Sequence, residues 1–456
     1  MIFPADIIRK ELKIPLCMSN TMTEAISLWT DLFLDEPPWR FDPEEPMQSL
    51  GIAVSVAGEY ARLATIEMKS EITGSERGEY LNQVYQNVLK RLRVQTEYGC
   101  AKGGLIFKPY LSGAALAVDY VQADYFYPTA FDGSGRITGV IFLEKLVRGN
   151  QVFRRLEYHH LESQGCVIEN LAFVSRVSAW GDQAPTLGKQ IALSEVTEWS
   201  SLESKVVLEG VDRLLVGYFK MPLANHVDPD SPLGVSAFSR AVDLIHQADA
   251  QWTRILWEYE GAELAIHADR GLFKKDKRGE LELPKHRERL YRTLPAFQDE
   301  GISGLQTFSP EIRDHSLFNG LNNMLRRIEF QCALAYGTLS DPQNVDKTAE
   351  EIKSSKQRSY ATIKDVQKAL QTALEDFIYA MNQWVTIGSL APQGEYQTTF
   401  HWDDSIVADK QMELNDMRQD VAAGLLRPEL YVAKRYGVSE EEAKNLMPKA
   451  ADLLEE

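Results

Sequence analysis

Between residues 348 and 384 the chain repeats apolar side chains at helical spacing without a break. Ile352, Tyr360, Ile363, Val366, Leu370, Leu374 and Phe377 share one face of a helix. At 1.5 Å per residue that helix would be roughly 55 Å long. One small domain does not need such a length, so the helix must cross several parts of the molecule or line an assembly. Thr348 followed by Glu351 matches a capping box and specifies the start. A second helical pattern, 316–337, comes just before, with Leu317, Leu321, Leu325, Ile328, Cys332 and Tyr336 on one face. The polar link 338–347 joins the two, and its Asp341-Pro342 step forbids helix continuation.

With 456 residues the chain can bury a large core and form more than one domain. The net charge of −17 disfavours nonspecific wrapping of DNA, because tight phosphate binding needs a basic surface. It does not oppose a surface that DNA must pass without sticking. Cys17, Cys100, Cys166 and Cys332 are far apart and contain no CxxC pair, which points to neither a zinc site nor a disulfide framework. The first thirty residues carry charges throughout, so no secretory leader is expected, and no apolar run is long enough to predict a membrane span.

Helices are predicted over 23–33, 47–72 and 75–98, the last stopped by Gly99, Gly103 and Gly104. The period then shortens to two, and strands are predicted at 105–110, 115–121, 137–147, 153–160 and 166–174. Asp132-Gly133-Ser134-Gly135 marks a turn among them. The stretch 228–234 is a polar turn in which Ser231 and Pro232 can open a helix reaching residue 260. An insert at 261–315 follows, with strands predicted at 264–268 and 302–308, a helix at 286–294, and a basic turn containing Lys274, Lys275, Lys277 and Arg278. That turn is either a solvated loop or a contact for an acidic partner. Residues 396–402 alternate like a strand, and 409–456 are charged and helical, with a second capping box at Ser439 and Glu442.

Catalytic motifs are missing. There is no GxxxxGK[ST], GxSxG, HExxH or GxGxxG. His159 and His160 are adjacent, so in a strand they point to opposite faces, which suits ordinary strand residues better than a metal pair. Asp403, Asp404 and Asp409 fit a turn and helix cap better than a cation site. The expectation is a chain that is not an enzyme, with no catalytic residues, cofactor or metal. The alternative is an enzyme of unknown class using the acidic or histidine cluster.

Several local phrases occur in an order that resembles the portal proteins of tailed bacteriophages, most closely the long-tailed siphophage type of Gram-positive hosts. They are Gly103-Gly104-Leu105-Ile106-Phe107-Lys108-Pro109-Tyr110, Val121-Gln122-Ala123-Asp124-Tyr125-Phe126-Tyr127-Pro128-Thr129 and Ser231-Pro232-Leu233-Gly234-Val235-Ser236. Phe308-Ser309-Pro310-Glu311-Ile312-Arg313, Lys347-Thr348-Ala349-Glu350-Glu351-Ile352 and His401-Trp402-Asp403-Asp404-Ser405-Ile406 continue the series. The chain departs from the family at Glu350 and Ile352, where a second threonine or a valine is common; the helix start is undisturbed.

The resemblance implies an α+β, portal-like subunit with a mixed α/β wing, a two-helix stem, an α/β clip, and a long helix under a short helical crown. Carried onto this sequence, residues 1–230 with strand 396–402 correspond to the wing, 231–260 and 316–337 to the stem helices, and 261–315 to the clip. Residues 338–347 correspond to the tunnel loop, 348–384 to the long helix, and 385–456 to the wing return and crown. It further implies a homo-oligomeric ring, typically a dodecamer, at one capsid vertex of the virion. Double-stranded DNA is packaged and ejected through its channel. The implied partners are the terminase packaging motor, a head–tail adaptor, and capsid and scaffolding proteins, with assembly in the host cytoplasm and no membrane. Ser340, Asp341, Gln343, Asn344, Asp346 and Lys347 would be the tunnel-loop residues nearest DNA, and Lys274, Lys275, Lys277 and Arg278 the clip contact.

Overall fold

The computed structural model describes residues 2–66, 68–176, 187–269, 272–274, 290–294, 305–341, 349–402 and 410–447. The chain is mixed α+β. Its elements run α1 (Ala5–Leu12), α2 (Asn20–Phe33), α3 (Ile52–Thr65), β1 (Lys69–Gly74), α4 (Glu76–Lys102), β2 (Gly104–Ser112), β3 (Ala115–Gln122) and β4 (Phe126–Phe131). Next come β5 (Ile137–Arg148), β6 (Gln151–Glu162), β7 (Gly165–Arg176), β8 (Lys189–Ile191), β9 (Lys205–Glu209), β10 (Gly217–Lys220) and α5 (Val242–Gly261). The rest are β11 (Ala265–Asp269), β12 (Tyr291–Leu294), β13 (Leu305–Phe308), α6 (Asp314–Gln331), α7 (Ala349–Ile387), β14 (Tyr396–His401), α8 (Lys410–Ala422), α9 (Pro428–Tyr436) and α10 (Glu440–Leu446).

The core forms around α7. Its buried stripe runs Ile363, Val366, Leu370, Leu374, Phe377, Met381 and Val385, the steps of three and four that one helix face requires. This face lies on α3, α4 and the three-stranded sheet β10-β2-β3. The approach to β10 is close because Gly217 has no side chain. A Cβ there would fall 2.2 Å from the Ala373 carbonyl and 2.7 Å from Phe377 Cβ. A larger antiparallel sheet in the order β4-β5-β6-β7-β8, with β9 also on β7, extends from this core through long hairpins. The turn between β4 and β5 is set by Asp132, whose Oδ1 accepts from Ser134 N at 2.8 Å and Arg136 N at 3.0 Å, and by Gly135 at φ +84°.

Four features differ from the sequence-based expectation. The helix over 47–72 is shorter: α3 ends at Thr65, and β1 pairs residue for residue with β14, burying Ser70 and Ile72. Residues 231–241 do not open a helix with Ser231 and Pro232. Leu233, Val235 and Phe238 are all buried, Ala237 N–H bonds Cys100 O at 2.9 Å, and Gly234 crosses Gly103 too closely for any side chain. Core burial on more than one side defeats the helical pattern there, and α5 starts at Val242. In the insert, Tyr291–Leu294 is a strand parallel to β11 instead of helix 286–294; residues 286–289 lie outside the described residues. The helix 316–337 stops at Gln331, where Ala333 takes φ +50° and turns the chain.

Candidate functional site

Helices α5 and α6 form an antiparallel hairpin. Glu258 near the end of α5 takes the guanidinium of Arg313 at 3.0 and 2.7 Å, Gln251 Nε2 donates to Leu317 O at 3.3 Å, and the rings of Trp252 and Phe318 lie 6.5 Å apart. The insert at the tip of the hairpin is a mixed sheet ordered β12-β11-β13. His267 of β11 stacks on Phe308 of β13 at 5.7 Å. Lys274 is exposed beside this sheet, next to Phe273, whose ring meets Tyr291 edge-on at 5.7 Å. Lys275, Lys277 and Arg278 lie outside the described residues, as do Gln343, Asn344, Asp346 and Lys347 of the loop and Asp403, Asp404 and Asp409.

Of the six loop residues singled out, Ser340 and Asp341 are described, and both are held to α6. Ser340 is 4% exposed and its hydroxyl donates to Glu329 at 2.9 Å. Asp341 N–H donates to Asn322 Oδ1 at 2.8 Å. Ser340 is therefore at the root of the loop and not on its surface. Sequence reading missed Glu329 and Asn322, although the signal was present. They are seven residues apart, and Glu329 stands between Leu325 and Cys332, so both are polar residues on a helix face that points into the core.

His159 and His160 do diverge, as the strand period requires. His159 is buried edge-on against Phe142 and bonds Glu157 at 2.6 Å, while His160 stacks on Tyr158 and bonds Glu162 at 3.1 Å. Burial pushes His159 below its usual pKa, against the pull of Glu157. No group of three or more His, Cys, Asp or Glu suited to a metal occurs among the described residues. A cleft of about 300 Å³ opens beside this strand, lined by Lys108, Asp119, Tyr125, Phe142, Arg155 and Glu157 among others. Its cations are already paired: Lys108 with Glu157 at 2.9 Å, and Arg155 with Glu157 at 3.0 Å and Glu144 at 2.8 Å. The Lys108–Glu157 pair joins β2 to the large sheet, and the Arg155 pairs lie within that sheet.

No family model matches the chain, and no curated protein matches it. Among solved structures it is similar to the neck of a native GTA particle computed with C12 symmetry, at 11% identity and TM-score 0.42, over 84% of this chain and 90% of that one. It is also similar to the neck of an empty GTA particle computed with C6 symmetry, at 11% identity and TM-score 0.45, over 96% and 98% of the two chains.

Proposed function

We propose that the chain is the portal subunit of a tailed-phage-like particle, which assembles into a ring whose channel passes double-stranded DNA. The observation that carries this reading is the order helix, strand insert, helix, short polar link and 39-residue helix, in a chain that also holds the six portal-like phrases in sequence. In this reading α5 and α6 are the stem, β11–β13 the clip, residues 338–347 the tunnel loop, and α8–α10 the crown. The hairpin surface supports assembly. On the hairpin and its insert Trp257 is 67% exposed, and Leu256, Tyr259, Leu264, Ile312 and Phe318 are exposed too, apolar side chains suited to burial between neighbouring copies. The acidic net charge keeps phosphate contacts few, so DNA slides without being gripped.

Negative-stain imaging and native mass measurement of the chain recovered from assembled particles should show closed rings at a single vertex. A chain distributed over the whole shell, or absent from particles, would overturn the reading. Deleting Gln343, Asn344 and Val345 should leave ring yield unchanged while most particles lose or fail to fill their genome. Full-length DNA packaged and retained at wild-type efficiency would remove the loop from DNA handling.

The clip is the proposed docking site for the packaging motor and the head–tail adaptor. Replacing Lys274, Lys275, Lys277 and Arg278 together by Ser should weaken partner binding about tenfold at low salt and flatten its salt dependence, with rings intact. An unchanged affinity with an unchanged salt slope makes the cluster a solvated turn.

A further inference from the structure

The segment that follows α6 is built on one side chain. Glu329 is 0% exposed. Its Oε1 accepts the backbone N–H groups of Gly337 at 3.1 Å, Leu339 at 2.6 Å and Ser340 at 2.8 Å. The Ser340 hydroxyl adds a further donor, 3.1 Å from Oε1 and 2.9 Å from Oε2. The backbone carbonyl of Glu329 takes the Leu334 N–H at 2.8 Å, closing the turn for which Ala333 adopts its positive φ. Seven residues earlier, Asn322 takes the Asp341 N–H. Burying a carboxylate is costly unless its lone pairs are filled. Here convergent amide groups fill them, and such a concave set of N–H groups favours an anion.

Phe330 of α6 and Tyr336, both ahead of the loop, meet α7 differently. Arg358 of α7 lies over the ring of Phe330 at 4.3 Å and over that of Tyr336 at 5.9 Å. A cation over a ring face tolerates sliding, whereas amide–carboxylate hydrogen bonds are lost within a fraction of an ångström or a few tens of degrees. Among the described residues, the directional attachment of the loop is to α6.

We propose that Glu329 is the positioning residue of the 338–347 loop, fixing its entry to α6 so that a movement of α6 carries the loop root with it. This rests on the reading of that loop as the segment facing DNA. Glutamine is nearly isosteric here: its Oε1 can accept the three amides and its Nε2 can donate to Ser340 Oγ. Alanine offers no acceptor.

The test compares Glu329→Ala, Glu329→Gln and Ser340→Ala in assembled rings by amide hydrogen exchange over residues 337–341, together with DNA packaging. Glu329→Ala should speed exchange there about 100-fold, and Glu329→Gln should bring it back to within about tenfold of the wild-type rate. Packaging should fall in the first and recover in the second. Unchanged exchange in Glu329→Ala overturns the anchoring. If that variant forms no rings, Ser340→Ala, which leaves the acceptor in place, should still raise exchange about tenfold, and no rise overturns the proposal. Faster exchange with undiminished packaging leaves the anchor standing and overturns the loop's role with DNA.

Discussion

Replacing Arg77 by alanine is expected to destabilise the protein by about 4 kcal/mol, because a buried guanidinium is lost together with its packing and several charge-assisted hydrogen bonds. Arg77 is 2% exposed at the start of α4. Its Nε donates to Pro392 O at 2.8 Å, its Nη2 to Ala391 O at 2.9 Å, and its Nη1 to Thr386 Oγ1 at 3.0 Å and Asn382 Oδ1 at 3.2 Å. Every one of these acceptors is neutral. The guanidinium therefore ties α4 to the last turns of α7 and to the link that delivers β14, whose pairing with β1 depends on that link. Lysine should recover less than half of the loss, since a single ammonium cannot reproduce the flat fork of five N–H donors. Urea denaturation of the three proteins measures this. A loss below about 1 kcal/mol for alanine would show that water replaces the guanidinium cheaply.

Lys108→Met should cost about 3 kcal/mol at neutral pH, since it leaves Glu157 buried without its nearest ammonium. Lys108 is 7% exposed and 2.9 Å from Glu157. The loss falls at the lower end for a broken buried pair, because Arg155 remains 3.0 Å from the same carboxylate. Burial opposes ionisation of Glu157, yet Lys108, the His159 hydrogen bond and Arg155 hold its carboxyl well below the usual carboxylate range. A depressed carboxylate pKa contributes stability that is present above its unfolded value, about 4.3, and is lost as pH falls through the folded value. His159, lowered by burial, acts in the same direction from a higher start. Its contribution is complete above about 6.5 and declines as pH falls below that. The wild type should therefore lose stability progressively from about pH 6.5 downward. In the variant, losing the Lys108 attraction raises the Glu157 pKa relative to the wild type. The difference between the two proteins should thus be largest above neutrality and shrink as acid protonates Glu157. Denaturant midpoints across that pH range decide it, and a difference that stays flat or grows in acid contradicts the assignment. Adding Glu157→Gln to Lys108→Met should recover much of the loss.

Legibility followed periodicity. The long helix, the hairpin strands and the capping box at Ser439 and Glu442 were read from residues alone, and Ser439 and Glu442 do exchange their capping hydrogen bonds. The insert's first and last strands in chain order were placed near their observed positions. The misreadings came where tertiary contacts outweighed local pattern. Residues 231–241 have helical spacing but are buried on more than one side against the end of α4. Residues 69–72 fall in the expected helix but meet a strand more than three hundred positions away. Of the candidate site, Asp341-Pro342 predicts a break between two helices, and α6 and α7 are separate helices, while the partners of Glu329 are set by the fold.

Those outcomes separate what the chain encodes locally from what it encodes only when folded. A stripe of apolar residues or a proline acts within a few residues, so the amino-acid order alone determined the long helix and the break before it, but not every helix boundary. Glu329 receiving the amides of Gly337, Leu339 and Ser340, Arg77 placing its donors on residues between 382 and 392, and Lys108 meeting Glu157 across two sheets are pairings between residues 8 to 315 positions apart. Which buried charge finds which partner depends on the packing that expels water around both, and only the assembled core brings that about.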